Sequence, residues 1–439
     1  MSGLPPRADR APLTRRSGAL FSLDAADVPT LTPRSGQVLT FVRATPATAI
    51  GGSGRITQAV HSQARLHADR NATTGLYAPS LLMEPAGTNL ILRSQEFDNA
   101  VWTKTTATVA ANAVTAPDGT LTADKLQEDN TTAQHLAAQG VTIIAGNHVS
   151  ASVFFKSAER SRILVQVFNG GDAIKIVARA DLGTFTTSVT GAGAVTDGGL
   201  QSLGNSWWRA WVTGKVNAAS TAMTMQSYLL NASDASTYLG VTGAGLYLWG
   251  ADLKAGDANG SLITSHIPSV AATVARNADR LTLTPAWSFQ DTLTIYAKIA
   301  RPLWAGHTAH LGAAGYIVSW GTTAPRLELL LRNDSRTIGA QLYDGTTAVT
   351  VTPAAPAGDP IEVCAQFTGI TTGGKVRLDV GSGFGAYSGL TGPISAFGAV
   401  NTLAIGDGAH AAGVGLATGL RRVLVLPGER SMAECRGAW

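Results

Sequence analysis

Short strand-like runs separated by turns recur along nearly the whole chain. They follow one another every 8 to 12 residues or so, and Asp118-Gly119, Asn169-Gly170 and Asp197-Gly198 have the residue types of two-residue hairpin turns. This spacing favours antiparallel sandwiches over alternating strands and helices. Charged residues make up only 14% of the chain, against about 25% in an average soluble protein, and Thr and Ser occupy polar positions. We therefore predict an all-β protein.

The stretch Gly245 to Leu283 divides the 439 residues. Alternating large side chains over Leu246 to Trp249 are typical of a buried closing strand, and a Gly, Asp, Asn and Ser-rich linker follows before a new alternation at Leu281 to Leu283. We predict two consecutive antiparallel β-sandwiches of jelly-roll type, over residues 88–279 and 280–439. Residues 1–87 are predicted to be an N-terminal attachment segment, mostly irregular with short strands.

The positive charge is concentrated near the N-terminus. Residues 1–70 hold nine arginines, no lysine and four aspartates. The arginines are scattered among Pro, Thr and Gly without interleaved aromatic residues, so docking onto a protein is favoured over nucleic-acid binding. The residues predicted to make this attachment are Arg7, Arg10, Arg15, Arg16, Phe21 and Arg34. We also predict that residues 1–34 can be deleted without unfolding either sandwich, since neither core is expected to use them.

Three stretches resemble proteins of bacteriophage particles. The stretch from Leu39 to Lys104, which ends in the run TGLYAPSLLMEPAGTNLILRSQEFDNAVWTK, is similar to the segment that precedes a sandwich in phage tail-fibre and head-spike proteins. LYLWGADLKAG with the later VARNADRL is similar to the end of that carbohydrate-binding-module-like sandwich. Gly87 stands where that family often has an Arg. The final RRVLVLPGERSMAE, with Ser431 as a helix N-cap, resembles the close of a concanavalin-A or laminin-G-like domain.

This resemblance implies a structural protein of a phage or a phage-like gene transfer agent, located on the particle surface and made in the bacterial cytoplasm. It would attach to capsid or tail proteins through its N-terminal segment and bind host surface polysaccharide. It also implies a homo-oligomer such as a trimer. Two alternatives stay open: a glycan-depolymerising enzyme of the tailspike type, and an architectural decoration protein without glycan binding. The sequence contains no run of about 18 apolar residues, so no membrane span is predicted.

Aromatic residues are the candidates for glycan contact. Trp207, Trp208, Trp211, Tyr247 and Trp249 lie on two predicted strands, where an exposed ring would offer a flat apolar surface to a sugar. Alternation places Trp207, Arg209 and Trp211 on one face and Trp208 on the other. Packing of these rings in the core is the stronger alternative, because aromatic side chains dominate cores.

No cofactor is predicted, and calcium is a minor alternative. Asp344 and Asp407 are the candidate calcium ligands, but each precedes a Gly in a predicted turn, which explains both without an ion. Cys364 and Cys435 are expected to be two unconnected thiols. The chain lacks the E-x-D-x-E strand pattern of concanavalin-A-like glycanases and a G-x-S-x-G elbow, so we predict no catalytic residues.

Overall fold

The computed structural model describes most of the chain. The described residues are 21–25, 39–70, 77–216, 221–256, 263–284, 291–300, 315–321, 326–331, 337–343, 347–354, 360–369, 373–389, 402–406 and 418–437.

Almost every regular element in these ranges is a β-strand. Those before residue 90 are Phe21–Asp24 (β1), Thr40–Val42 (β2), Ala47–Ile50 (β3), Ile56–Ala59 (β4), Arg65–Arg70 (β5), Tyr77–Met83 (β6) and Gly87–Asn89 (β7). The next are Thr103–Thr105 (β8), Ala107–Val114 (β9), Ala123–Glu128 (β10), Thr132–Gln134 (β11), Leu136–Thr142 (β12), Val149–Ser157 (β13), Arg162–Asn169 (β14), Asp172–Arg179 (β15), Thr184–Thr190 (β16), Ala194–Gly204 (β17), Trp207–Lys215 (β18), Ala222–Leu230 (β19), Thr237–Leu239 (β20) and Gly245–Ala255 (β21).

The later strands are Val274–Arg276 (β22), Arg280–Leu283 (β23), Leu293–Ile299 (β24), Gly315–Trp320 (β25), Arg326–Leu331 (β26), Ile338–Tyr343 (β27), Ala348–Val351 (β28), Ile361–Thr368 (β29), Lys375–Asp379 (β30), Ser388–Gly389 (β31), Leu403–Ile405 (β32) and Thr418–Pro427 (β33), and a short helix, Met432–Gly437 (α1), follows. Within the described ranges, no helix is long and apolar enough to cross a membrane.

The first sandwich packs two six-stranded antiparallel sheets. Sheet I has the order β17-β18-β13-β21-β10-β9, and sheet II has the order β16-β15-β14-β19-β12-β8. Alternate residues of each strand point between the sheets, so Val149, Ala151 and Val153 of β13 share one core with Ile163 and Val165 of β14. Alternating apolar residues on the facing sides of the two sheets thus form the first core.

Two of the three predicted hairpin turns are turns. Asp118-Gly119 lies in the loop of residues 115–122 between β9 and β10, with Gly119 at φ +88°. In the β14–β15 hairpin, Asn169 pairs with Asp172, so the two-residue loop is Gly170-Gly171. Asp197-Gly198 instead lies within β17, beside a register shift between Val195 and Asp197. There the Asp197 carboxylate accepts a hydrogen bond from the Gly198 N–H at 2.7 Å. Asp-Gly suits a β-bulge as well as a hairpin turn, so the dipeptide alone does not distinguish the two structures.

The second sandwich also consists of two antiparallel sheets. Sheet III has the order β31-β30-β29-β24-β33-β6-β5 with β1 also paired to β33, and sheet IV has the order β2-β23-β32-β25-β26-β27-β28. Their facing sides share one apolar core, exemplified by Ile295, Val363 and Val425 of sheet III and Trp320 and Leu329 of sheet IV. The predicted all-β class with antiparallel sandwiches is confirmed.

The helix α1 closes the outer side of sheet III. Ser431 caps it as predicted: its Oγ accepts from the Glu434 N–H at 3.2 Å, and the Glu434 carboxylate accepts from the Ser431 N–H at 2.8 Å. Met432 and Cys435 pack on Cys364 and its neighbours. The two thiols, expected to be unconnected, are buried with their sulfur atoms 3.8 Å apart. Sequence separation hid this contact because β29 and α1 meet only in the tertiary fold.

Four N-terminal strands, β1, β2, β5 and β6, belong to the second sandwich, which changes the predicted division at residue 87. β1 pairs with β33, β2 with β23, and β6 with the start of β33. Sheets III and IV therefore contain strands that precede the first sandwich in the sequence and strands that follow it. The first sandwich is therefore an insertion in the second. Leu23 and Ala25 lie in the second core, which also contradicts the prediction that residues 1–34 can be removed without effect. The sequence concealed this because β1 and β2 are too short to stand out.

Candidate functional site

The outer face of sheet I, where most of the predicted glycan-binding aromatics lie, is covered. β18 alternates as predicted, but Trp207 and Trp249 are only 3% and 1% exposed and pack with Phe154 and with Ile56 of β4. The Trp207 Nε1 donates to the Thr115 carbonyl, at 3.2 Å. The hairpin of β3 and β4 thus acts as a third layer over the sandwich, and these indoles offer no free surface to a sugar.

The other three predicted aromatics differ in position. Trp211 is also buried, at 3% exposure, with Gly199 close to its ring. Trp208 is half-buried and packs against the core between sheets I and II. Tyr247 is half-buried at the margin of the cluster around Trp249. The stronger alternative stated above, that these rings pack inside the protein, fits their burial better than a sugar platform does.

Beside the Trp249 cluster lies a buried network of charges, here called the junction, which joins the N-terminal strands to the end of the first sandwich. The Glu84 carboxylate accepts from Arg65 Nη1 at 2.8 Å, from Arg276 Nη1 at 2.5 Å and from Ser265 Oγ at 2.6 Å. Asp279 accepts from Arg65 and, at 2.8 Å, from Arg43. The three guanidinium groups are fully buried, at 0% side-chain exposure.

The electrostatics of the junction follow from this pairing. Burial by itself would raise the pKa of Glu84, but the nearby Arg276 and Arg65 outweigh it and hold that pKa well below its ordinary value. Next to it, burial lowers the pKa of Lys254 to about 8 although Asp252, 2.6 Å away, opposes the shift. Because every charge here is buried and held by protein groups, the junction is a structural connection between segments distant in sequence.

The outer face of sheet II differs from that of sheet I. Among the described residues, its buried apolar cluster contains side chains of sheet II alone, with Tyr228 6% exposed. One cross-strand row on this face runs across all six strands, and its members are Thr103, Ala138, Gln226, Gln166, Lys175 and Ser188. The central amides of Gln166 and Gln226 are hydrogen-bonded to each other, and Gln166 Nε2 also donates to the Tyr228 hydroxyl at 2.9 Å. These bonds fix the amide planes. Gln166 itself is only 6% exposed, and the polar members of the row that reach solvent are Thr103, Gln226, Lys175 and Ser188.

Half-buried apolar side chains flank this row. Leu164 and Val177 lie on one side, in register with Tyr228 and Thr186 respectively, and Phe168 lies on the other, opposite Thr224. We call the row and its flanks the open face. Amide groups and an ammonium between apolar strips can bind a ligand that carries hydroxyls on one edge and C–H groups on its faces. A sugar polymer has that chemistry.

The sequence contained a usable signal for the open face. Over Arg162 to Phe168 and Ala173 to Arg179, one face of each strand is wholly apolar and the other mixes Arg, Gln and Lys with apolar residues, which is typical of strands with one buried and one partly solvated side. Which of the two sheets stays open depended on the β3–β4 hairpin, and its docking position is not encoded in the sandwich strands.

The remaining predicted site residues fall largely outside the described ranges. Arg7, Arg10, Arg15, Arg16 and Arg34 lie there, and so do the candidate calcium ligands Asp344 and Asp407. Phe21 begins β1 and is paired through its backbone with Val425. In the part of the chain that the structure describes, no group of three or more His, Cys, Asp or Glu side chains is arranged to hold a metal ion.

Comparison with known proteins adds little about this chain. No protein-family model matches it, and no curated protein matches it. Among solved structures, domains LG4-5 of the mouse laminin alpha1 chain match with TM-score 0.20 and 12% identity, covering 67% of this chain and 85% of that one. The LG1-3 region of the laminin alpha2 chain gives 0.23 and 10%, covering 65% and 63%. A Bacteroides ovatus protein titled xyloglucan PUL GH43B gives 0.21 and 12%, covering 88% and 97%. With TM-scores near 0.2, none of them carries an inference to this chain.

Proposed function

We propose that this protein is a surface structural component of a phage or phage-like particle and that its first sandwich binds host surface polysaccharide through the open face. The observation that carries the glycan part is the fixed, half-buried amide of Gln226 beside Lys175, flanked by half-buried apolar side chains, on a face whose buried cluster comes, among the described residues, from sheet II alone. The phage part rests on the sequence resemblance of residues 39–104 and of the stretch that begins at Gly245. No metal or cofactor takes part in the proposed binding.

Polysaccharide binding tests the glycan part. The purified full chain is titrated with capsule and lipopolysaccharide fractions of bacterial hosts, and the same is done with the Gln226→Ala/Lys175→Ala double variant. Because each lost hydrogen bond to sugar is worth about 1 kcal/mol and one to a charged group somewhat more, we expect roughly tenfold or more weaker binding at an unchanged melting temperature. Lys156→Ala is the matched control, since Lys156 is half-buried on sheet I.

Two results would overturn the glycan assignment. Equal binding by the double variant and the wild type would move the site elsewhere, and absence of binding to every fraction and to whole cells would leave the architectural alternative. Release of new reducing ends during incubation with polysaccharide would replace binding by depolymerisation as the function.

The attachment part needs a test that leaves β1 in place, because β1 pairs with β33 of the second sandwich. In our proposal Arg7, Arg10, Arg15, Arg16 and Arg34 contact other capsid or tail proteins, and replacing the first four with Ala is expected to prevent incorporation into particles without changing the melting temperature. Normal incorporation of this variant would show that another surface makes the attachment.

A further inference from the structure

β16, Thr184–Thr190, is an unusual edge strand. It is the terminal strand of sheet II, and all seven of its residues are exposed. Its register with β15 is continuous over its whole length, without a bulge. Large apolar side chains stand open on it and just before it: Leu182 is 60% exposed, Phe185 42% and Val189 48%. An edge of this kind presents unpaired backbone groups to any strand of matching shape.

The other terminal strands of the four large sheets are protected against such pairing. Four of them, β2, β8, β28 and β31, have between two and four residues. β5 lies beside β3, to which its Arg65 and His67 side chains are hydrogen-bonded, and both β9 and β17 contain register shifts. β16 has none of these devices, and no charged residue occurs from Leu182 to Thr196. The contrast within one molecule indicates that this edge has an occupant.

The sequence of β16 specifies what the occupant is. Thr-Phe-Thr-Thr-Ser-Val-Thr reads nearly the same from both ends about Thr187. We propose that β16 pairs antiparallel with β16 of a second copy about a two-fold axis at Thr187, which joins two copies of sheet II into one continuous sheet. Phe185 then lies opposite Val189 of the second copy, Thr186 opposite Ser188, and Thr187 opposite Thr187, all favourable cross-strand pairs.

The surroundings of β16 are compatible with this pairing. On the inner side, Phe185 and Val189 continue the rows of Ala178 and Ile174, which belong to the first core. On the outer side, Lys175 is in register with Ser188, and Ser188 would face Thr186 of the second copy, so the two copies of Lys175 never stand opposite each other. The dimer would also place two open faces side by side. A two-fold contact accounts for an even-numbered oligomer, whereas the trimer expected from the sequence would need another surface.

The size of the contact sets the concentration range of the test. A seven-residue strand is about 23 Å long. The surface buried by pairing two such strands lies at or below the lower limit for specific interfaces, about 1,200 Å² in total. We therefore expect a dissociation constant in the micromolar range and sedimentation equilibrium of the full chain over roughly 1 to 100 μM to show a monomer–dimer equilibrium. A strictly monomeric protein at the highest concentration, or growth into thioflavin-positive fibres, would overturn the closed pairing.

Two double variants test the register. Thr186→Lys/Ser188→Lys places like charges opposite each other and is expected to weaken the dimer at least tenfold, whereas Thr186→Lys/Ser188→Glu places opposite charges there and is expected to tighten it. Both change the same two exposed positions, so each is a control for the other, with thermal melting to verify folding. If both variants associate as the wild type does, the proposal fails.

Cross-linking gives an independent measurement that does not depend on either double variant. A two-fold axis at Thr187 places the Thr187 Cβ atoms of the two copies about 5 Å apart. Thr187→Cys is therefore expected to form an intermolecular disulfide with diamide as the oxidant. Thr184→Cys, whose partner would be Thr190, is expected to remain uncross-linked, and the reverse outcome would refute the register. None of these measurements uses polysaccharide, so their failure is distinct from failure of the proposed function.

Discussion

Replacing Glu84 with Ala tests the junction most directly. The change removes one carboxylate that two buried guanidinium groups share, those of Arg65 and Arg276, and leaves the bond from Arg65 to Asp279 in place. Removing one partner of a buried ion pair costs about 3 to 5 kcal/mol, because the remaining charge is left without compensation. Since domains are stable by about 5 to 15 kcal/mol, the loss is a large share of the total.

Urea unfolding followed by fluorescence and circular dichroism measures this loss. Glu96→Ala is the matched control: Glu96 also pairs with an arginine, Arg93, but at 43% side-chain exposure, where a pair contributes about 1 kcal/mol at most. We expect the Glu84 variant to unfold at a clearly lower urea concentration and the Glu96 variant to unfold close to the wild type. A Glu84 variant within about 1 kcal/mol of the wild type would refute our account of the junction as a buried network of ion pairs.

The pH dependence of stability gives a second readout of the same carboxylate. The pKa of Glu84 is lower in the folded state than in the unfolded state, because Arg276 and Arg65 outweigh the effect of burial. Its stabilisation is therefore complete above the unfolded pKa of about 4.3 and is lost as the pH falls toward the folded pKa. Below about pH 4.3, the free energy of unfolding should decrease with falling pH more steeply in the wild type than in Glu84→Ala. The difference in slope should be up to about 1.4 kcal/mol per pH unit. If the free energy of unfolding of the two proteins fell equally below about pH 4.3, the pKa of Glu84 would not change on folding, and this account would be wrong.

Three further predictions concern the fold. Leu23→Ala should destabilise the second sandwich by about 2 to 5 kcal/mol in thermal or urea unfolding, because Leu23 is buried in its core; no change would show that β1 does not dock there. Trp249→Ala should cost about 3 to 5 kcal/mol, and the variant that remains folded should bind polysaccharide normally; lost binding at full stability would restore the ring as a sugar contact. In the reduced protein, Ellman's reagent should titrate Cys364 and Cys435 only after unfolding, because both thiols are buried, and rapid labelling of the native protein would contradict that burial.

The local sequence was enough to predict the elements that depend on near neighbours. Period-2 alternation gave the strands around Val149 to Ser157 and Arg162 to Asn169, and Gly119 and Gly170 lie in the turns where they were expected. Ser431 caps α1 because the capping interaction spans three residues. Each of these features follows from backbone sterics and from hydrogen bonds between residues close in the chain.

The tertiary structure decided which chain segments share a core and which sheet face stays open. Strands β1, β2, β5 and β6 share two sheets with strands from β23 to β33 around an inserted sandwich. A strand of four residues such as β1 has too little pattern to reveal a partner some 400 positions away. The predicted aromatic platform became interior in the same way, because the β3–β4 hairpin covers Trp207 and Trp249. Alternation in the sequence shows that the two faces of a strand differ. Whether a face is buried depends on what packs against it, and here the β3–β4 hairpin that covers sheet I is distant in sequence.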